Sequence, residues 1–143
     1  MTQIELKSSD LQEEGLLMEV EIMPSLAFIK EKGFTKSNIP IVRTTALFDT
    51  GAKTCAVDKS IIDALQATSY KVTPVKTPFH TIDSEVYLLI FKIPGKEEYF
   101  PVTAVIADFS QDTCKAIIGR DFLQYCTLVY NGTNQTGHLI ILK

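Results

Sequence analysis

The apolar run Thr45-Ala46-Leu47-Phe48 stops abruptly on Asp49-Thr50-Gly51-Ala52. A short apolar run of this kind reads as a buried strand. An ionised carboxylate is costly to bury unpaired, so a core strand that delivers an Asp at its end needs a reason for it. Gly51 has no Cβ, which lets the backbone turn sharply or another chain approach closely. An ordinary Asx-type turn at a strand end suits Asp-Thr-Gly as well, and the three residues alone do not separate a turn from a site. A second stretch repeats the logic about 70 residues later. There Ala116-Ile117-Ile118 runs into Gly119 and directly into Arg120-Asp121-Phe122-Leu123.

The remaining sequence is rich in strand patterns. Leu16, Met18, Val20 and Ile22 alternate with Leu17, Glu19 and Glu21, which is the pattern of a half-buried strand ended by Pro24. Residues 1–15 are polar and acidic, with Ile4 and Leu6 forming a short edge strand. Ser25 to Pro40 reads as a long connection with turn signals at Gly33, Ser37-Asn38 and Pro40. Its Leu26, Phe28, Ile29 and Phe34 are too apolar for a free linker and are expected to pack on the body or line a groove. Cys55-Ala56-Val57 reads as a returning strand. Asp58 then caps a short helix carrying Ile61, Ile62 and Leu65.

Tyr70 to Ile93 is the most β-like region and is expected to form a long hairpin with its tip at Ile82–Glu85. Pro94-Gly95-Lys96 is a turn, and Tyr99 to Ala107 is a strand whose start Pro101 places at an edge. Arg120 to Tyr125 reads as a second short helix. Leu128-Val129-Tyr130 and His138 to Leu142 pair as a last hairpin around Asn131-Gly132. Many short strands with one or two short helices indicate a mostly β, largely antiparallel fold, closed like a barrel or layered like a sandwich.

Composition narrows the function classes. A chain of 143 residues is expected to form one domain, 1–143, with residues 1–15 as a polar N-terminal segment. Hydrophobic residues make up 45% and charged residues 22%, as in ordinary globular proteins. The net charge of −3 and the lack of a basic run argue against a nucleic-acid partner. No apolar run approaches the ~20 residues of a membrane span, and Met1 to Lys7 lacks the pattern of a secretory signal. Cys55, Cys114 and Cys126 are odd in number and widely spaced, which fits a reducing cytoplasm rather than a disulfide framework or a zinc site. The sequons at Asn131 and Asn134 are accordingly read as turn residues. Asp49, Asp58, Asp63, Asp83, Asp108, Asp112 and Asp121 have no metal-ligand spacing with His80 and His138, so no metal or other cofactor is expected. A Cys–His nucleophile pair is conceivable at Cys55 or Cys114, but Cys55 sits in an apolar run and reads better as a buried structural cysteine.

The order of the motifs carries a resemblance. Apolar strand, Asp49-Thr50-Gly51-Ala52, short strand and helix, long hairpin, then Ile117-Ile118-Gly119-Arg120-Asp121-Phe122-Leu123 is similar to the retropepsin-like aspartic proteases, from about Ile41 to Leu142. Leu128-Val129-Tyr130-Asn131-Gly132 also looks like bacterial members of that family. The resemblance implies a closed β-barrel acid-protease fold with its active site at a homodimer interface. It implies that Asp49 is catalytic, and that Thr50, Gly51, Gly119, Arg120 and Asp121 support the active-site loop. It further implies that Gly51 and Ala52 position substrate through their backbone. The hairpin would be a flap, which puts Ile82, Asp83 and Ser84 with Lys53 at the substrate. Lys53 departs from the retroviral pattern, where an Asp pairs with the Arg of the second motif. Arg120 is therefore expected to find another partner, Asp121 or an acid of the second chain. The expected flap tip also lacks glycine.

The chemistry needs two carboxylates. One, ionised, takes a proton from water; the other, protonated, hydrogen-bonds the scissile carbonyl oxygen. One Asp-Thr-Gly in a chain of this length supplies half of such a pair, so the second Asp49 is expected from a second chain across a twofold axis. The sequence therefore predicts an aspartic endopeptidase acting on extended peptides. The alternative is a retropepsin-fold peptide-binding or dimerisation module with little or no peptidase activity.

Overall fold

The computed structural model describes residues 1–76, 78–109 and 113–142, with the side chain of Lys7 excepted. In chain order the elements are β1 (Thr2–Lys7), α1 (Leu11–Glu14), β2 (Leu17–Pro24), α2 (Leu26–Lys32), β3 (Val42–Phe48), β4 (Cys55–Val57) and α3 (Lys59–Leu65). There follow β5 (Lys71–Lys76), β6 (Thr81–Lys92), β7 (Tyr99–Ile106), β8 (Ala116–Ile118), α4 (Arg120–Leu123), β9 (Cys126–Asn131) and β10 (Thr136–Ile141).

The larger sheet runs β2-β3-β8-β4-β7-β6-β5, and a further pairing of β2 with β6 closes it into a ring. β5 stands outside the ring on the protruding half of β6, which pairs with β5 through Val86 and with β7 from Val86 onward. The fold is thus mostly β and barrel-like, as the strand pattern predicts. Two pairings are parallel, β3 with β8 and β4 with β7. These bring the ends of β3 and β8, and so the two glycine junctions, side by side. The smaller sheet is β1-β10-β9, with Ile4 opposite Leu139 and Leu139 opposite Leu128.

Alternation sets the core. Leu16, Met18, Val20 and Ile22 are buried, whereas Glu19 is exposed and Leu17 and Glu21 only half-buried, so β2 keeps the register its period of two requires. Phe91, Phe100 and Phe122 are the largest fully buried side chains. Phe122 of α4 packs on Phe100 of β7 with ring centroids 4.3 Å apart. Burying such a ring contributes about 1.5–3 kcal/mol, which fixes a helix of four residues that would not persist alone. Pro101 is tolerated because β4 pairs β7 only from Ala104 onward, leaving Pro101 a neighbour in β6 alone.

Three expectations are corrected. Four helices stand among the described residues rather than one or two. Ser25–Pro40 is not an irregular connection, because its first half is helix α2. Ser25 caps α2 by accepting the Phe28 N–H, and Gly33 ends it in the left-handed conformation. No residue of α2 is fully buried, so helical periodicity had no core-facing stripe to report. The long hairpin turns between Lys76 and Thr81, not at Ile82–Glu85, since those two residues lie opposite each other. Ile82, Asp83 and Ser84 are strand residues opposite Val75, Pro74 and Thr73. Among the described residues no helix is long and apolar enough to cross a membrane.

Candidate active site

β3 delivers Asp49, and the parallel pairing continues one step past the strand, with the Asp49 N–H donating to the Ile118 carbonyl at 3.0 Å. The chain then turns, closed by the Ala52 N–H on the Asp49 carbonyl. Within that turn Asp49 Oδ1 accepts the Gly51 N–H at 2.9 Å. One carboxylate oxygen is thereby fixed, while Oδ2 has no hydrogen-bond partner among the described residues. Asp49 is half-buried, and Thr50 and Gly51 are exposed at the surface.

The second junction holds the loop from behind. A helix start leaves its first N–H groups without partners, and Gly119, as N-cap of α4, has no side chain to supply one. The loop supplies them instead. The Arg120 N–H donates to the Ala52 carbonyl at 2.8 Å, and the Asp121 N–H to the Lys53 carbonyl at 3.2 Å. This contact needs glycine, because a Cβ at residue 119 would lie 2.2 Å from the Thr54 carbonyl oxygen and 3.0 Å from that of Ala52. The Arg120 guanidinium also reaches the loop, donating to the Thr50 carbonyl at 3.0 Å. Of the partners expected for Arg120, Asp121 is excluded within the chain, because its carboxylate is engaged elsewhere.

Asp121 faces the interior side of the junction. Its Oδ2 accepts the Thr103 N–H of β7, and its Oδ1 accepts the Phe122 N–H and the Cys55 thiol of β4 at 3.0 Å. Burial pushes the Cys55 thiol well above its ordinary range, and the neighbouring Asp121 charge adds to the effect. Cys55 is therefore held as a neutral thiol, a donor in the scaffold and a poor nucleophile. Burial also pushes Cys126 up, to about 11. Among the described residues no three His, Cys, Asp or Glu side chains gather closely enough to hold a metal. Asp112 lies outside the described residues.

Beside the loop runs a groove of about 780 Å³. Gly51, Ala52, Lys53 and Arg120 of the two junctions line it, together with Lys71, Thr73 and Lys76 of β5. Ala56, Val105 and Ile117 add apolar wall. Of the sequence-predicted residues, Asp49, Thr50, Gly51, Gly119, Arg120 and Asp121 come together at the paired junctions, and Ala52 and Lys53 reach the groove. Ile82, Asp83 and Ser84 do not line it; the facing strand β5 does. Lys71, Thr73, Lys76 and Thr103 are lining residues that the sequence reading missed. For the three on β5 the signal is Pro78, a breaker that puts the turn before Thr81.

No protein-family model matches the sequence, and no curated protein matches it either. Solved structures do match in three dimensions. A retropepsin-like aspartic protease from Rickettsia conorii aligns over 96% of this chain and 90% of its own, with a TM-score of 0.59 and 14% identity. The simian foamy virus protease aligns over 76% of this chain and 92% of its own, with a TM-score of 0.50 and 16% identity. An aspartic proteinase from Irpex lacteus aligns with 99% of this chain, which spans only 47% of that proteinase, at a TM-score of 0.56 and 15% identity. With its closed β ring, its paired strand-to-glycine junctions and these matches, the chain has the retropepsin-like fold of aspartic proteases.

Proposed function

We propose that the protein is an aspartic endopeptidase that works as a homodimer, each chain contributing one Asp49. The observation that carries this reading is the state of the Asp49 carboxylate. One oxygen is held by the Gly51 N–H, and the other has no hydrogen-bond partner among the described residues, next to Gly51 and Ala52, which line a groove. A carboxylate held in this way is oriented with one oxygen left to face a second carboxylate. The coverage of the Irpex lacteus proteinase supports the same arithmetic, since two chains of this size match the length of one such enzyme.

In the dimer, one Asp49 is ionised and draws a proton from a water between the pair. The other is protonated and donates to the scissile carbonyl oxygen. The water oxygen attacks the carbonyl carbon. The proton it loses passes to the first carboxylate, which gives it to the leaving amine as the C–N bond breaks, while the second carboxylate takes back a proton from a hydroxyl of the tetrahedral intermediate as the new carboxyl carbonyl forms. No covalent intermediate forms. Thr50, exposed next to Asp49, holds the two loops together across the twofold axis, and Gly51 and Ala52 present backbone groups to substrate. Gly119, Arg120 and Asp121 keep the loop in shape. Substrate lies extended between the loop and the β5–β6 hairpin. The chain acts as a single unit over 1–143. Its three cysteines, odd in number and widely spaced, suit the cytoplasm, where thiols stay reduced.

The test is cleavage of a mixed peptide library from pH 3 to 7 by wild type and Asp49→Asn, with the oligomeric state read by sedimentation. Expected is cleavage that Asp49→Asn abolishes, from a dimer. Cleavage that survives the substitution overturns the mechanism. A dimer that binds peptides but cleaves none at any pH is a binding module instead.

A further inference from the structure

We propose that the groove selects peptides carrying acidic side chains; this rests on the peptide-binding half of the reading above. Four lining residues are cationic: Lys53 after the Asp-Thr-Gly turn, Arg120 at the start of α4, and Lys71 and Lys76 on β5. The lining contains no Asp or Glu. The rest of the chain has the opposite bias, with 17 carboxylate side chains against 14 Lys and Arg in all. Of the other described cations, Arg43 pairs with Glu19, Lys59 with Asp63 and Lys92 with Glu21. Among the described residues none of the four groove cations has a carboxylate partner. Arg120 meets a neutral carbonyl, and the Lys71 ammonium sits 5.8 Å from the centre of the Tyr70 ring.

The side chains of β5 alternate, and the five-residue step from Lys71 to Lys76 turns them to opposite faces. Lys71 shares the face of the half-buried Thr73 and Val75, whereas Lys76 is on the other face. The cationic side chains gathered at the groove are therefore Lys53, Arg120 and Lys71, with Ala56, Val105 and Ile117 as apolar lining beside them. A concave surface of this kind focuses the field of its charges. Solvated charge pairs each change affinity by only about two- to five-fold. Selection comes from several acting together, and salt must weaken it.

The experiment measures binding, so that it does not depend on hydrolysis. Asp49→Asn protein is titrated into labelled extended decapeptides of one frame that carry two Glu, two Gln or two Lys, and anisotropy is followed at 50 and 500 mM NaCl. Expected is about ten-fold tighter binding of the Glu peptide than the Gln peptide at low salt, with the Lys peptide weakest and the spread shrinking at high salt. Lys71→Gln should reduce the Glu preference two- to five-fold, and Lys76→Gln, on the opposite face of β5, should leave it unchanged. Equal affinity for the three peptides, a preference for Lys, or no binding of any of them overturns the proposal. The two readings fail separately. Selective binding of the Glu peptide without Asp49-dependent cleavage by wild type removes the hydrolase and keeps the selection. Asp49-dependent cleavage with no preference for acidic peptides does the reverse.

Discussion

Gly119→Ala tests the central structural argument, that the Asp49 loop is held by backbone contact with the start of α4. The added Cβ would lie 2.2 Å from the Thr54 carbonyl oxygen and 2.5 Å from its carbon. Relief requires a shift of about 1 Å to reach ordinary contact. No flexible side chain is available to give way, because the obstructing atoms are backbone. The same two segments are joined by the amide bonds of Arg120 to Ala52 and of Asp121 to Lys53, so the shift stretches both. Overpacking costs about 1–3 kcal/mol and each lost hydrogen bond about 0.5–1.5, which together give roughly 2–6 kcal/mol, centred near 4. Equilibrium urea unfolding should show the midpoint falling by about 2 M at a typical slope of ~2 kcal/mol/M. Gly132→Ala is the control, since its Cβ would meet only the Tyr130 ring at 3.5 Å, and it should shift the midpoint by less than about 0.3 M. A Gly119→Ala protein within about 0.5 M of wild type refutes the argument.

Other outcomes follow from the same contacts. Asp121→Ala removes the acceptor of the Thr103 N–H, the Phe122 N–H and the Cys55 thiol, and should cost about 3 kcal/mol in urea unfolding. Asp121→Asn keeps one acceptor oxygen and should cost about half as much. Because burial raises the Cys55 thiol, the folded protein keeps a proton that the unfolded chain releases above about pH 9. Stability should therefore be unaffected below that pH and fall above it, with a slope of up to about 1.4 kcal/mol per pH unit. Cys55→Ala should lessen the slope without abolishing it, as Cys126, raised to about 11, contributes in the same direction. Ser25→Ala removes the α2 cap, and α2 buries no residue. Its loss of about 1 kcal/mol should appear as faster hydrogen exchange in α2, with the global unfolding midpoint unchanged.

The strands were legible from two signals. β2 carries a period of two in Leu16 to Ile22, whereas β3, β6 and β8 stand out as apolar runs in Thr45 to Phe48, Val86 to Ile93 and Ala116 to Ile118, most of whose residues are buried. Helix α2 was hidden because it rests on local capping at Ser25 and Gly33 and not on a buried face. The hairpin tip was misplaced for a related reason. Asp83-Ser84 has turn chemistry, but pairing with β5 holds it in the strand, and the chain reverses between Lys76 and Thr81. The candidate site divides in the same way. Asp49, Thr50, Gly51 and Gly119 could be read from their motifs, since two short segments of consecutive residues carry them. The cations on β5 depend on how far the hairpin folds back, which only the register shows.

Residue 53 links these threads. In sequence, Lys53 departs from a pattern in which an acid neutralises the Arg of the second motif, and it leaves Arg120 in need of a partner. The structure answers with an acceptor that no sequence displays, the main-chain carbonyl of Thr50. Arg120 can then hold the loop whatever the charge at residue 53, because a carbonyl acceptor is present in every sequence at that position. The loop keeps its shape through the Lys53 carbonyl, which accepts the Asp121 N–H, and the Lys53 side chain has no part in that bond. That side chain lines the groove instead, with Lys71, Lys76 and Arg120. An acid at 53 would cancel one positive charge and introduce a negative one in the groove. Lys53→Asp should accordingly leave the urea midpoint within about 0.3 M of wild type while erasing more of the Glu-peptide preference than Lys71→Gln does. If the substitution unfolds the protein instead, the side chain at 53 supports the loop and the division between scaffold and groove is wrong.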